Sequence, residues 1–205
     1  GDAAPMVRRS GFSVAWRVES WLRNPRDVED EAHFLFEADE EETFANLPPG
    51  EQERVLEDFW RRRDPSPGTG DNEARATFLS RAERANQLYS RRGLGKGMFS
   101  DMGRVYIRYG EPSEVVHQVI PAGGETVGEL VQELAANEER AMGEILIKGP
   151  GADSRPFELW IYEAPIPPPP YAAPEVQGRD RKQRILFLFV DQFGTGDYRL
   201  RYTTE

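Results

Sequence analysis

Four consecutive prolines, Pro167, Pro168, Pro169 and Pro170, set the tightest limit on how this chain can fold. Proline has no backbone N–H to give to a sheet ladder, so the run from Pro165 to Pro174 cannot enter a sheet interior and reads as an extended polyproline strap. It parts two segments that do read as strands. Before it stands Phe157-Glu158-Leu159-Trp160-Ile161-Tyr162, rich in aromatic and β-branched side chains, and after it Ile185 to Val190 forms the most apolar segment of the chain, a central strand. Gly194-Thr195-Gly196-Asp197 then turns into the alternating Tyr198-Arg199-Leu200-Arg201-Tyr202, so the last two strands form a hairpin.

The first half reads as mainly helical. Residues 1–10 form a loose arm, and Phe12, Val14, Trp16 and Val18 alternate with polar neighbours as in a strand, although Phe12, Trp16 and Leu22 also fit a helix; Pro25 ends the element on either reading. Ala32-His33-Phe34-Leu35-Phe36 reads as a short buried extended segment. Asp39 and Glu42 have capping-box spacing for a short helix that turns Phe44 and Leu47 inward. The pattern predicts a further helix over 51–63, with Val55, Leu56, Phe59 and Trp60 on one face and arginines in its last turn, where cations suit the helix dipole.

Asp64-Pro65-Ser66-Pro67-Gly68-Thr69-Gly70 must turn, since two prolines and two glycines in seven residues forbid a continuing helix. Asp71 is placed to cap a helix to Tyr89 with Phe78, Ala82, Ala85 and Tyr89 inward and arginines outside. Gly93, Gly95 and Gly97 then make a loop. Arg104 to Tyr109 alternates, with Val105, Ile107 and Tyr109 on one face, and reads as the first strand of the sheet; Gly110-Glu111-Pro112 turns it, and Val115 to Ile120 returns. Thr126 and Glu129 introduce an amphipathic helix to Arg140, and Ile145-Leu146-Ile147 reads as a brief strand. The chain therefore reads as α+β, with N-terminal helices packed on a mainly antiparallel sheet of the C-terminal half: an arm and first element over 1–30, then a single domain over 31–205, helical at 39–90 and sheet-rich at 104–203.

Charge narrows the partners. The 205 residues carry 36 acids and 26 bases, a net charge of -10, which disfavours a general nucleic-acid or anionic-membrane surface. Only Lys96, Lys148 and Lys182 are lysines; the arginines suit bidentate pairing with carboxylates, and a GC-rich genome would give the same bias. The absence of cysteine removes disulfides, thiolate metal sites and cysteine nucleophiles. No apolar run approaches the ~20 residues that span a bilayer, and Gly1-Asp2-Ala3-Ala4-Pro5 lacks a signal-peptide pattern, which fits a mature terminus left after cleavage.

A series of motifs runs through the chain in order: Phe59-Trp60-Arg61-Arg62-Arg63-Asp64-Pro65 to Thr69, Asn72-Glu73, Phe78, Ala85-Asn86, Gly97 and Asp101, Gly103-Arg104-Val105-Tyr106-Ile107 with Tyr109-Gly110 and Pro112, Glu158-Leu159-Trp160 with Tyr162, and Gly196-Asp197-Tyr198-Arg199-Leu200. Their order resembles the bacterial GWxTD-domain family, over about three quarters of the chain. Met98 and Ser100 replace the family's tryptophan and threonine in Gly97-Met98-Phe99-Ser100-Asp101, and residues 122–150 look longer than the family's connection. The resemblance implies an export-linked, periplasmic or envelope-associated setting and supplies no established reaction. Trp60, Arg61, Arg63, Asp64, Asp101, Arg104, Glu158, Trp160 and Asp197 are its structural motif residues.

Candidate chemistry is sparse. Asp101 and Glu158, each beside an expected strand, could converge as a hydrolase pair with Tyr106 or Trp160 near; the simpler reading pairs each carboxylate with Arg61, Arg63 or Arg104, or with backbone N–H groups at a turn. His33 and His117 read as core or edge histidines without close acidic partners, a poor basis for a metal site. No Gly-x-Ser-x-Gly elbow or phosphate loop is present. Asp191 and Asp197 flank a glycine turn and miss calcium-loop spacing. The Arg61-Arg62-Arg63 run suits a helix terminus better than nucleic acid.

Trp16, Trp21, Pro167 to Pro170 and Tyr171 remain as candidate partner-binding residues, while the strap could equally cover a sheet edge. The expectation is thus a non-catalytic interaction or scaffold module without cofactor or metal, an accessory subunit of an envelope or membrane-associated assembly, reaching a membrane only peripherally, through a partner or a lost lipid anchor. The alternative is a hydrolase or carbohydrate-binding domain built on Asp101 and Glu158.

Overall fold

A computed structural model describes residues 23–93, 95–118, 156–173, 183–191 and 193–205. The expected elements near Phe12, over 126–140 and at Ile145–Ile147, with Trp16, Trp21 and Pro174, lie outside the described residues. The described chain is α+β: five helices lie toward the N-terminus and four antiparallel strands occupy the C-terminal half. It divides into two compact units, parting between Asp58 and Phe59.

The first unit is helical. Helix α1, Pro25–Leu35, starts where the sequence reading ended an element. Pro25 sits in the first turn, where its missing N–H costs nothing, and the Asn24 side chain accepts from the Arg26 N–H at 3.0 Å. The helix runs through Ala32 to Leu35, which corrects the expected extended segment: Val28, Glu31 and Ala32 recur at helical spacing and are buried. Helix α2, Ala38–Ala45, is boxed by Glu37 and Glu40 rather than by Asp39 and Glu42. Val28, Ala32, Phe44 and Leu56 form the core of this unit. Buried Glu31 is held by Arg23, which also reaches Glu53 at 3.1 Å.

Helix α3, Pro49–Arg61, leads into the second unit. Trp60 is buried against Phe78, and Asn72 ties the turn that follows: its Nδ2 donates to the Trp60 carbonyl at 2.7 Å, and its Oδ1 accepts from the Arg75 N–H at 2.9 Å. Asn72, not Asp71, therefore caps α4, Glu73–Tyr89, which buries Phe78, Ala82 and Ala85.

Arg104 to Tyr109 is not a strand. After a short 3-10 turn at Gly97–Phe99, helix α5 spans Asp101–Tyr109. Ser100 accepts from the Gly103 N–H at 3.0 Å, Gly110 closes the far end with φ +82°, and Arg81 of α4 donates to the Ile107 and Arg108 carbonyls at 3.0 and 3.2 Å. Caps at both ends outweigh the strand preference of Val105, Tyr106 and Ile107. The helix also buries Met102, Gly103, Val105, Ile107 and Tyr109, a wider face than an alternating strand would cover.

Strands β1 Glu114–Gln118, β2 Phe157–Glu163, β3 Arg184–Asp191 and β4 Tyr198–Thr203 form an antiparallel meander in that order. β3 is central, as its apolar run predicts, and almost wholly buried. One sheet face, Trp160, Tyr162, Ile185, Phe187 and Phe189, packs with Met102, Val105 and Tyr109 of α5; the other carries Phe157, Leu159, Ile161, Leu186, Leu188 and Val190. No described helix is long and apolar enough to cross a membrane.

Candidate functional site: a cleft beside the Gly97–Asp101 segment

Gly97 to Asp101 stitches three elements together. A Cβ at Gly97 would lie 2.2 Å from the Ala85 carbonyl oxygen, so only glycine allows α4 to approach this closely. The Gly97 N–H donates to Ser90 Oγ at 2.8 Å and the Met98 N–H to Asn86 Oδ1 at 2.9 Å. Met98 is buried as a packing side chain. Ser100 Oγ donates to the Gly97 carbonyl at 2.6 Å while capping α5. Asp101 Oδ2 accepts the Leu200 N–H of β4 at 2.8 Å, joining this segment to the hairpin 99 residues further along.

That last bond brings together two stretches singled out by sequence, Gly97–Asp101 and Gly196–Leu200. Between them lies a cleft of about 70 Å³. Its apolar lining comes from Tyr89, Phe99, Met102 and Tyr198, and its charged lining from Arg91, Lys96, Asp197 and Arg199. Arg91 donates to the Leu88 and Ser90 carbonyls at 2.9 and 3.0 Å, and Arg199 Nε donates to Asp197 Oδ2 at 2.9 Å, so both guanidinium groups are positioned by their own chain. Gly196 has φ +80°, and a Cβ there would meet Arg91 Nε at 3.1 Å. Burial, with Tyr106 and then Glu158 beside it, pushes the Tyr89 hydroxyl above its ordinary value, and burial followed by Glu158 does the same at Tyr198. Both phenols are neutral at pH 7 and can donate hydrogen bonds.

The carboxylates are committed elsewhere. Glu158 Oε2 accepts from the Trp160 indole N–H at 2.9 Å, and Asp101 accepts the Leu200 N–H within strand β4, where the sequence reading offered arginine partners or the N–H groups of a turn. Asp191 is buried, with its oxygens accepting from the Phe193, Thr195 and Gly196 N–H groups at 3.3, 3.1 and 2.7 Å, which shapes the turn bearing Gly196 and Asp197. Asp64 accepts from the Ser66 N–H at 2.9 Å. His33 differs from its expectation: it is helical and exposed, and its Nδ1 lies 2.8 Å from Glu41 Oε1, because α1 and α2 lie side by side. His117 lies exposed on strand β1. Among the described residues no cluster of three metal-ligating side chains occurs.

The arginine run and the strap meet. Arg63 Nε donates to the Tyr171 carbonyl at 2.7 Å, and its guanidinium carbon lies 3.5 Å from the Phe59 ring centre. Tyr171 stands edge-on to Phe78 at 6.4 Å, and Ile166 is buried in the core beneath the sheet. Pro168, Pro169 and Pro170 are half-buried and Pro167 is exposed. Arg61 lies exposed at the end of α3, and exposed Arg104 donates to the Phe99 carbonyl at 3.4 Å.

Sequence reading located Asp197, Arg199 and the glycines but not Arg91 and Lys96 as their neighbours. Arg91, Lys96 and Arg199 share no spacing along the chain; only the hairpin and the Asp101–Leu200 bond bring them together. The paired glycine turns, Gly93 and Gly95 against Gly194 and Gly196, were the one available signal, since all four take positive φ. Comparison with known proteins finds no matching family profile, curated protein or solved structure.

Proposed function

We propose that this protein is a non-catalytic interaction module, an accessory subunit of an envelope or membrane-associated assembly in the export-linked setting that its GWxTD-like motif order suggests. The carrying observation is that Asp101 and Glu158, the two carboxylates with the best claim to chemistry, each accept a hydrogen bond that the fold itself uses. Asp101 fixes β4 to α5 and Glu158 orients a core indole. One oxygen of each carboxylate is thus engaged by the protein itself, which supports a structural role for the pair.

Exposed apolar groups on the turn after β3 and on β4 favour a protein partner. Phe193, on the turn that follows β3, is 82% exposed, and Leu200 on β4 is 38% exposed. Aromatic side chains in such positions commonly anchor protein interfaces. The tagged protein, purified from membranes of its native host, is expected to co-elute on gel filtration with a stoichiometric protein partner. A purely monomeric protein that recovers no such partner under the same conditions contradicts the proposal.

A further inference from the structure

We propose that the outer edge of strand β1 takes up an extended segment of a partner protein as an added antiparallel strand. The inference rests on the interaction-module reading and names how such a partner is held. The two edges of the sheet differ. At the β4 edge, α5 lies alongside and Asp101 takes the Leu200 N–H, Arg199 and Arg201 stand exposed, and the register shifts between Leu188 and Phe189. A covering helix, surface charge and an irregular ladder are all means by which proteins blunt a sheet edge. β1 shows neither cover nor irregularity among the described residues: it ends the strand order and pairs with β2 in unbroken register, from Glu114 opposite Ile161 to Gln118 opposite Phe157. Glu114, at its first position, is its only acid, and it holds no proline, lysine or arginine.

Backbone and side chains point to the same kind of occupant. In an edge strand alternate residues turn both N–H and C=O away from the sheet, and these groups are a template for a further strand. Glu114, Val115 and His117 are exposed, Val115 at 43%, so the template is reachable along β1. Val115 stands opposite Trp160 and Val116 opposite Leu159, which belong to the apolar layers on the two faces of the sheet. A strand added outside β1 therefore extends both layers, meeting Val115 on one face and half-buried Val116 on the other. That selects an apolar or β-branched segment free of proline and long enough to match β1, whose five residues span about 17 Å. Strand addition draws affinity from main-chain hydrogen bonds and specificity from alternate side chains.

The test is an amide NMR titration of the full chain with an acetylated, amidated Lys-Thr-Val-Thr-Val-Thr-Lys peptide. A second arm uses the same peptide N-methylated at every Thr and Val, which keeps the side chains and removes the main-chain donors. Expected are saturable shifts of the Val115, Val116 and His117 amides with the first peptide, and affinity about tenfold or more weaker for the second. Val115→Lys, a charge on an exposed edge position, should weaken the first peptide about tenfold and leave the remaining spectrum in place, whereas Leu79→Lys, similarly exposed on α4, should not change its affinity. Equal affinity of the two peptides, no shift at β1 with millimolar peptide, shifts centred on β4, or unchanged affinity in Val115→Lys would each overturn the proposal. So would slow hydrogen exchange of every β1 amide in the free monomer, which would mean an edge already paired, or a dimer joined through β1, which would make a second copy the occupant. A stoichiometric partner retained undiminished by Val115→Lys would leave the interaction module standing and remove the β1 edge from it. Peptide pairing at β1 with no partner recovered from the host would do the reverse.

Discussion

Helix α5 and strand β2 are built from similar side chains and fold oppositely. Asp101–Tyr109 offers Val105, Tyr106, Ile107 and Tyr109; Phe157–Glu163 offers Leu159, Trp160, Ile161 and Tyr162. They even meet, since the Tyr109 and Tyr162 rings lie 5.3 Å apart in one apolar layer. What separates them is at their ends. α5 is closed at one end by Ser100 and at the other by Gly110 and Arg81, whereas β2 is flanked by β1 and β3 and takes its order from the ladder on each side. Short aromatic and β-branched segments thus follow whichever partner satisfies their backbone, and propensity decides little.

The contrast can be broken most severely from the sheet. Trp160→Ala removes a buried indole from β2 and leaves Glu158 without its hydrogen-bond donor; chemical denaturation should show a loss of about 3–5 kcal/mol. On the helix, Gly103→Ala drives a Cβ to 1.9 Å from the Gly97 carbonyl oxygen, backbone against backbone. The same measurement should show a loss of about 2–3 kcal/mol, while Gly50→Ala, with nothing within 4 Å, serves as a near-neutral control. If Gly103→Ala proved equally harmless, the close approach of α5 to Gly97 would not be holding the helix in place.

The smallest effect at neutral pH lies in the shared tyrosine layer. Burial raises the hydroxyls of Tyr162 and Tyr109 above their ordinary value of 10.0, Tyr162 donates to the Gly110 carbonyl at 3.0 Å, and Glu205 adds to the shift at Tyr109. Because the folded-state values are raised, these groups leave stability unchanged below pH 10 and weaken the fold as pH rises beyond it, where the unfolded chain ionises first. Thermal unfolding followed across pH 8 to 11 should show a decline that begins near pH 10 and is shallower in Tyr162→Phe. An equal decline in that variant would assign the effect elsewhere.

Much of this architecture is legible from sequence where side chains face one environment along a whole element. β3 reads as central because its run is unbroken, α4 from Phe78, Ala82 and Ala85, and the turn at 64–70 from its prolines and glycines. The α5 reading fails because Val105, Ile107 and Tyr109 satisfy both a two-residue and a helical period, and the deciding contacts, from Arg81 and from Gly97, come from residues distant along the chain or in the preceding loop. The α1 reading fails at Ala32 to Phe36, because a short apolar run fits the last turn of a helix as well as an extended segment. For the site, the glycine turns and Asp101 are visible in advance. The approach of Arg91 and Lys96 to Arg199 is not, because it is a product of the tertiary fold.

Asp101 ties α5 to β4. Amide hydrogen exchange at Leu200, in the native chain and in Asp101→Ala, tests it most directly. The Leu200 amide should be protected in the native chain and exchange about tenfold faster or more in the variant, with the amides of central strand β3 unchanged. Equal exchange at Leu200 in the two proteins would contradict the tie and return Asp101 to the list of groups available for chemistry.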